Sequence, residues 1–577
     1  MADIMPEYRE NGAYTTTLVK YAGREFTVNV RGKHSLCVEI YNEYKKISET
    51  TGTFLDGRTS VVLPELERGI YWVKTICDGE VIADERFVFT DNAFPPVKPP
   101  KGIIYHIFVD RFAKGGIVRR RHDAVINNDW ANGVPQYAEY EGGYVENNMF
   151  FGGTLWGVAD RINYIKSLGT EWLYLSPIFT AYSNHKYDTG DFMSVDSMFG
   201  GREALDNLIS VCHRNGIKVI LDGVFNHVGR DSVYFDYRDV YGNGAYHHPD
   251  SPYREWFDIK DDGTYDCWWG ITNLPKVRKI ESYRRFICEE AIPEYMKAGI
   301  DGWRLDVVDE YDTSFLTEIT AATKKYNPDA VVIGEVWDDV TDKVAYSERK
   351  QYFCGACLDS AMNYPIRNAL ISYIKSGSAD ELKDTIENQI KHYPREKLLC
   401  MMNFLGTHDT ERIITVLGDG FSNGIAGSIL ASKCLGEDEY ASAKKLFKAA
   451  FALLSCIPGV PSVYYGDEAG LQGYRDPFNR RPFPWGNEDN ELVRFCRMIS
   501  AIRSEHKALV CGSAEVTQCN DGFFVLKRRA ENDTVVCVCN MSSEYKYYVN
   551  QNLTPLYGTN TLSPGEAGIF TEENYDD

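Results

Sequence analysis

DGWRLDVVDE, residues 301–310, is a short apolar run closed by an acid, Asp306, and followed by polar residues. Two other stretches repeat the pattern: VVIGEVWDD (331–339) closes at Glu335, and NFLGTHDTER (403–412) closes at Asp409. A carboxylate inside an apolar core would be severely desolvated, so an acid that ends a buried strand marks the strand's exit into a site. Asp306 and Glu335 are 29 residues apart, about one unit of a barrel whose eight strand–helix units take ~250 residues. Glu335 and Asp409 are 74 residues apart, room for two longer units. Acids ending neighbouring strands of such a barrel meet at one end of it, where they can flank a single bond.

Outward from this stretch the same alternation holds. IIYHIFVDRF (103–112) predicts a strand, RINYIKSLG (161–169) an amphipathic helix and EWLYLSP (171–177) a strand. GREALDNLISVCHRNG (201–216) predicts a helix ending in Gly, and IKVILDGVFNH (217–227) a strand. After His227 the rhythm fails, and residues 228–280, rich in Tyr, Asp, Gly and Trp, predict a loop-rich insertion. It resumes with a helix over 281–298, the strand at Asp306, a helix, AVVIGEVW (330–337), a helix, CGACLD (354–359) as sixth strand, a helix, and NFLGTHD (403–409). A helix over 440–455, the strand SVYYGDE (462–468) and a helix over 490–507 complete eight units. The fold class is α/β, a (β/α)8 TIM barrel over residues 99–508 with the insertion after strand 3. Residues 1–98 alternate with period two and are broken by Gly, Asp and Asn, which predicts an N-terminal β-sandwich. NAFPPVKPPKG (92–102), with four prolines, is the linker. Residues 509–577 return to short strands and predict a C-terminal β domain.

Composition narrows the function. The 577 residues carry a net charge of −21, which argues against a nucleic-acid partner, since that needs a basic face. No apolar run is long enough to span a membrane. MADIMPEYRENGAYTTT, the first residues, shows no basic stretch followed by an apolar one, so the expected location is cytoplasmic. The 15 cysteines lack zinc-type spacing, and Cys354 and Cys357 of CGAC, placed on a barrel strand, have no second pair, so free thiols in a reducing compartment are expected.

LDGVFNH (221–227), GWRLDVVDE (302–310), GEVWDD (334–339) and FLGTHDTER (404–412) resemble the four signature segments of the α-amylase family of glycoside hydrolases, in the family's order. NHKYDTGDF (184–192) and GDEAGLQGYRDPFNRRPFPW (466–485) are similar to its neopullulanase, cyclomaltodextrinase and maltogenic amylase group. The resemblance covers roughly residues 99–577. It implies a retaining α-glucan hydrolase cleaving α-1,4 bonds, and α-1,6 bonds as a further option, in maltooligosaccharides, cyclomaltodextrins or pullulan. Asp306 would be the nucleophile, Glu335 the general acid and Asp409 the group that stabilises positive charge on the ring. Arg304, two residues before Asp306 and on the same side of its strand, would keep Asp306 ionised. His227 and His408 would donate to sugar hydroxyls, His185 would bind them, and Tyr187 would stack on the sugar at the cleavage point. Asp476 and Arg480 match positions that hold a more distant sugar; a loop salt bridge is the alternative for that pair. A transglycosylase of the same fold differs only in whether sugar or water resolves the intermediate. A non-catalytic glucan-binding protein would show an incomplete trio of acids.

The sequence also departs from the group. LPKVR (274–278) ends in Arg278 where the group has Asn, and Asp338 replaces a frequent His after GEVW. The loop after Phe112 reads AKGGIVRRRHDA, and three consecutive arginines repel a dication, so it does not support calcium and no cofactor or metal is expected. The N-terminal region is short for the group, which leaves a homodimer open rather than implied. It could also be a separate carbohydrate-binding module.

Overall fold

Every residue of Ile103–Ile107 is buried in the computed structural model, as suits a strand with helices on one side and a barrel interior on the other. The structure describes all residues except 1–6, 12, 13, 21–25, 44, 63, 65, 90–93, 421 and 573–577. The strands β1 (Ile103–Ile107), β2 (Thr170–Leu175), β3 (Lys218–Gly223), β4 (Gly302–Leu305), β5 (Val331–Gly334), β6 (Ser360–Ala361), β7 (Met402–Phe404) and β8 (Val460–Tyr464) form one parallel sheet in the order β6-β5-β4-β3-β2-β1-β8-β7. A parallel bridge between Met362 and Met402 joins its two ends, so the sheet closes as a (β/α)8 barrel. Gly302 allows β4 and β5 to pair closely, because a Cβ there would lie 2.3 Å from the Val331 carbonyl oxygen.

The outer helices follow from apolar residues at helical spacing. In Gly201–Arg214 the buried residues are Ala204, Leu205, Leu208, Ile209 and Cys212, a single stripe facing the sheet. Thr313–Tyr326 starts where the Asp312 carboxylate accepts from the Phe315 N–H, a cap worth about 1 kcal/mol. The insertion over 228–280 holds only short 3-10 turns and isolated bridges. It packs instead through aromatic contacts, with Phe235 against Tyr246, Phe257 and Tyr265.

One crossover departs from expectation. Between β5 and β6 there is no helix, and CGAC is not a strand: β6 is Ser360–Ala361, and Cys354 and Cys357 lie in turns ahead of it. Gly355 at φ 64° breaks any strand there, and the preceding residues lack a repeating apolar stripe. Val340–Cys357 groups with Met1–Phe94 and Lys391–Pro394 in one compact unit, while the remainder of the chain forms the second. Within the first unit the Arg349 guanidinium bonds Glu43 at 2.6 Å and lies 5.0 Å over the Trp72 ring.

Besides the two-stranded ribbon of Val344–Ala345 and Glu348–Arg349, that first unit contains two antiparallel sheets. One pairs Lys45–Thr51, Leu36–Asn42, Gly69–Cys77 and Glu80–Phe89; the other pairs Glu7–Asn11, Tyr14–Lys20, Phe26–Arg31, Arg58–Val62 and Thr53–Leu55. Val30, Val38, Ile40, Val61 and Val73 share their core. Residues 92 and 93 of the linker lie outside the described residues. The C-terminal segment forms a five-stranded antiparallel sheet with Val525, Val536, Val538 and Phe570 in its core.

Candidate active site

The barrel register sets the site. Asp222 on β3 is the lateral partner of Arg304 on β4, and Arg304 is the partner of Ile333 on β5. One residue beyond the strands, Asp306 N–H still donates to the Gly223 carbonyl and Glu335 N–H to the Leu305 carbonyl. The ladder therefore carries Asp306 and Glu335 to the C-terminal mouth, where barrel sites are built.

Arg304 is the hub. Its Nη1 lies 2.7 Å from Asp306 Oδ1 and 3.0 Å from Asp222 Oδ1. Its Nη2 is 2.9 Å from Glu335 Oε2, too poorly aligned to be a hydrogen bond. Glu335 takes its hydrogen bonds elsewhere: Oε1 accepts from Trp337 Nε1 at 2.9 Å, and Oε2 from the Val307 N–H at 2.9 Å. Val307 holds that N–H in place with φ 43° and ψ 53°, a left-handed conformation that a β-branched residue adopts only under strain. Asp222 also accepts from the phenols of Tyr174 at 2.5 Å and Tyr187 at 2.9 Å.

Asp409 completes the group from beyond β7. His408 Nε2 stands 3.2 Å from its Oδ2, and Arg480 Nη2 stands 3.8 Å from its Oδ1. Its side chain keeps 30% of its exposure. Desolvation and the Glu335 charge push it up to about 7, against the pull of Arg480 and Arg304. Burial likewise raises Asp306, with Arg304 opposing and Glu335 and Asp222 adding to the rise. Carboxylates this crowded retain protons that isolated ones would lose.

The structure places the other predicted residues around this cluster. The Tyr187 ring stacks on His408, with centroids 5.0 Å apart and planes at 10°. His185 stacks on Tyr187 at 5.9 Å. Burial keeps His408 and His185 well below the ordinary imidazole range, so both are neutral near pH 7. Arg480 donates to the His408 carbonyl from Nε and pairs Asp476 at 2.9 Å from Nη1. Asp476 and Arg480 thus form an ion pair, and its cation also faces Asp409. His227 is turned to protein: Nε2 is 3.1 Å from the Tyr187 carbonyl oxygen, and Nδ1 is 3.3 Å from Asn226 Nδ2.

Sequence reading did not single out Tyr174, which bonds Asp222, or His106, which stacks on Tyr174 at 4.2 Å and meets His408 edge-on at 5.4 Å. Both sit in strands buried on each face, where alternation is masked; a polar aromatic inside such a run was the available signal. Tyr364 was also missed. It stacks on Trp337 at 3.8 Å beneath Glu335.

Residues 106–501 match the family described as alpha amylase, catalytic domain. The chain therefore belongs to the α-amylase family of glycoside hydrolases. It is 35% identical over 479 residues to an amylopullulanase of Thermoanaerobacterium saccharolyticum, a match covering 74% of this chain and 36% of that protein. The chain thus spans about a third of the length of that relative. It is 32% identical over 454 residues to a cyclomaltodextrinase of Geobacillus thermopakistaniensis, covering 76% of this chain and 68% of that one. Among solved structures it is similar to a cyclic alpha-maltosyl-(1→6)-maltose hydrolase from Arthrobacter globiformis, with TM-score 0.68 and 25% identity over 82% of this chain and all of that one. The type III pullulan hydrolase from Thermococcus kodakarensis shares the fold with TM-score 0.70 and 24% identity over 96% of this chain and 98% of that one.

Proposed function

We propose that the protein is a retaining α-glucan hydrolase acting on α-1,4 bonds, and on α-1,6 bonds where its loops admit them, in maltooligosaccharides, cyclomaltodextrins or pullulan. The observation that carries this reading is the single guanidinium of Arg304, 2.7 Å from Asp306 and 2.9 Å from Glu335. It brings the two carboxyl groups to short range, which supports the retaining arrangement, ~5–5.5 Å, over the inverting one, ~6.5–9.5 Å. Asp306, bonded through Oδ1 to Arg304, attacks the anomeric carbon. Glu335, oriented by Trp337 and the Val307 N–H, protonates the leaving oxygen and then activates water. Asp409 faces the charge that develops on the ring. Tyr187, backed by His408, offers the sugar a flat face. Side-by-side product profiles on cyclomaltodextrin, pullulan and soluble starch test the reading. No sugar released from any of them would sink it.

Transfer to a second sugar is the other outcome of the same chemistry. Trp337 is 47% exposed beside Glu335, and its open face suits an acceptor. Longer products at high maltotriose concentration would establish transfer. The support for a metal-free enzyme is the loop after Phe112: Arg121 spends its guanidinium on the Ala181 and Tyr182 carbonyls, at 2.7 Å each, where a dication would need those oxygens. Cytoplasmic residence is supported by buried free thiols such as Cys212, Cys400 and Cys456, and no described helix is long and apolar enough to cross a membrane.

A further inference from the structure

Behind the carboxylate cluster four groups from three segments make one hydrogen-bonded chain. Lys279 Nζ is 2.5 Å from Asn226 Oδ1, Asn226 Nδ2 is 3.3 Å from His227 Nδ1, and His227 Nε2 is 3.1 Å from the Tyr187 carbonyl oxygen. The Tyr187 phenol then reaches Asp222 at 2.9 Å. Asn226 and His227 are buried, so water cannot substitute for either of them. Trp268, stacked on the His227 ring at 5.2 Å, fixes its plane.

The direction of every bond follows from the first. An ammonium has no lone pair, so the Asn226 amide must turn its oxygen to Lys279 and its NH2 to His227. The His227 Nδ1 then accepts, its proton lies on Nε2, and Nε2–H donates to Tyr187. We propose that Lys279 is a positioning residue: it holds the Asn226 amide so that its NH2 meets His227 Nδ1, reinforcing the Nε2–H tautomer that the Tyr187 carbonyl also requires, and so secures the seat of Tyr187 against the site. Charged neighbours of Lys279 are Lys276, Glu310, Asp312 and Asp266; burial and Lys276 bring it down to about 7. Below that value it cannot accept a bond and the constraint is complete. His227 faces Lys279 and Glu310, and burial with Lys279 keeps it down to about 3. It is therefore neutral, and because the Tyr187 carbonyl can only accept, both ends of the chain call for the same tautomer.

The tautomer can be read without turnover, so the proposal is separable from the glycosidase reading, on which only its activity arm rests. In protein labelled with 15N-histidine, the His227 signals, assigned by difference against His227→Gln, should show a protonated Nε2 and a bare Nδ1. Asn226→Asp presents two acceptor oxygens and should draw the proton to Nδ1. It should lower kcat/KM on cyclomaltodextrin at least about tenfold near pH 8. The new carboxylate also favours an imidazolium, which donates from both nitrogens, so the loss should shrink as pH falls. Lys279→Met leaves the tautomer to the Tyr187 carbonyl alone, so it should keep a protonated Nε2 and lower kcat/KM by less than Asn226→Asp does. A protonated Nδ1 in the wild-type protein would overturn the proposal, as would Asn226→Asp with wild-type tautomer and pH profile. Should Asn226→Asp fail to fold, Lys279→Met decides: an unchanged kcat/KM in that variant would overturn the proposal.

Discussion

Two of the completely buried arginines in the second compact unit are used in opposite ways. Arg304 is surrounded by the carboxylates of Asp222, Asp306 and Glu335, and their charges raise it well above its ordinary range despite burial. Arg528 has backbone carbonyls instead: Cys456 at 2.6 Å, Ser513 and Gly512 at 3.0 Å each. Burial and the nearby Arg503 pull Arg528 down to about 9. The Cys456 and Gly512 carbonyls lie at helix ends, where the macrodipole is negative, and Ser513 opens a strand. A buried cation held by carbonyls fastens separate chain segments together. One held by carboxylates opposes the rise that burial imposes on Asp306 and Asp222 and aims the acids at the same place.

The largest effect expected from breaking the first arrangement is at Asp306. Asp306→Asn keeps the shape and a hydrogen bond to Arg304 but removes the attacking oxygen's charge. Turnover should fall at least ~10³-fold, with little change in melting temperature. Release of sugar at the wild-type rate by this variant would remove the nucleophile assignment.

The comparison itself is broken or kept by a matched pair of variants. Arg304→Met leaves three acids without their cation, so it should cost about 3–5 kcal/mol and abolish turnover. Arg528→Met loses three bonds to carbonyls and should cost about 3 kcal/mol, with kcat within about twofold of wild type. Urea melts and initial rates on the same samples test both. Equal loss of kcat in the two variants would mean that the two arginines do not divide their work in this way.

Asp409 gives a smaller, pH-dependent effect. Desolvation first, and then Glu335, raise it from 3.8 to about 7. Between those values the native state holds a proton that the unfolded chain has released. Its contribution to stability is therefore fully present below the unfolded value and lost as pH rises through the folded one. Asp409→Asn removes that titration. The melting temperature of the variant relative to wild type should climb from about pH 4 to about pH 7.5. A difference that stays flat across calorimetric scans would show that Asp409 is as solvated as an ordinary surface acid.

What was legible in the sequence follows the same division. DGWRLDVVDE, VVIGEVWDD and NFLGTHDTER announced their sites because an acid ending an apolar run has no cheap structural explanation. Arg304 was legible by strand parity alone. The path between β5 and β6 was not: an apolar CGACLD looks like a strand until Gly355 takes φ 64°. Tyr174 and His106 hid in runs apolar on both faces. The Lys279–Asn226 contact hid for another reason, since it joins residues 53 apart across an irregular insertion, where no periodicity can predict which side chains meet.

Val307 carries the smallest effect and separates strain from chemistry at the Arg304 cluster. Its φ of 43° costs a β-branched residue about 1–2 kcal/mol, while Asn visits the same region with local hydrogen-bond support. Val307→Asn keeps the backbone N–H that Glu335 accepts at 2.9 Å. If the backbone alone matters, the variant should be more stable by up to about 1 kcal/mol in urea melts and should retain kcat within about threefold. A gain in stability with a larger loss of kcat would mean that the valine side chain, wedged beside Asp306, helps to aim the carboxylates. No such wedge exists at Arg528, where carbonyls are fixed by the helix ends and the strand that carry them, so the outcome bears on whether a cluster of acids needs a strained neighbour to hold its geometry.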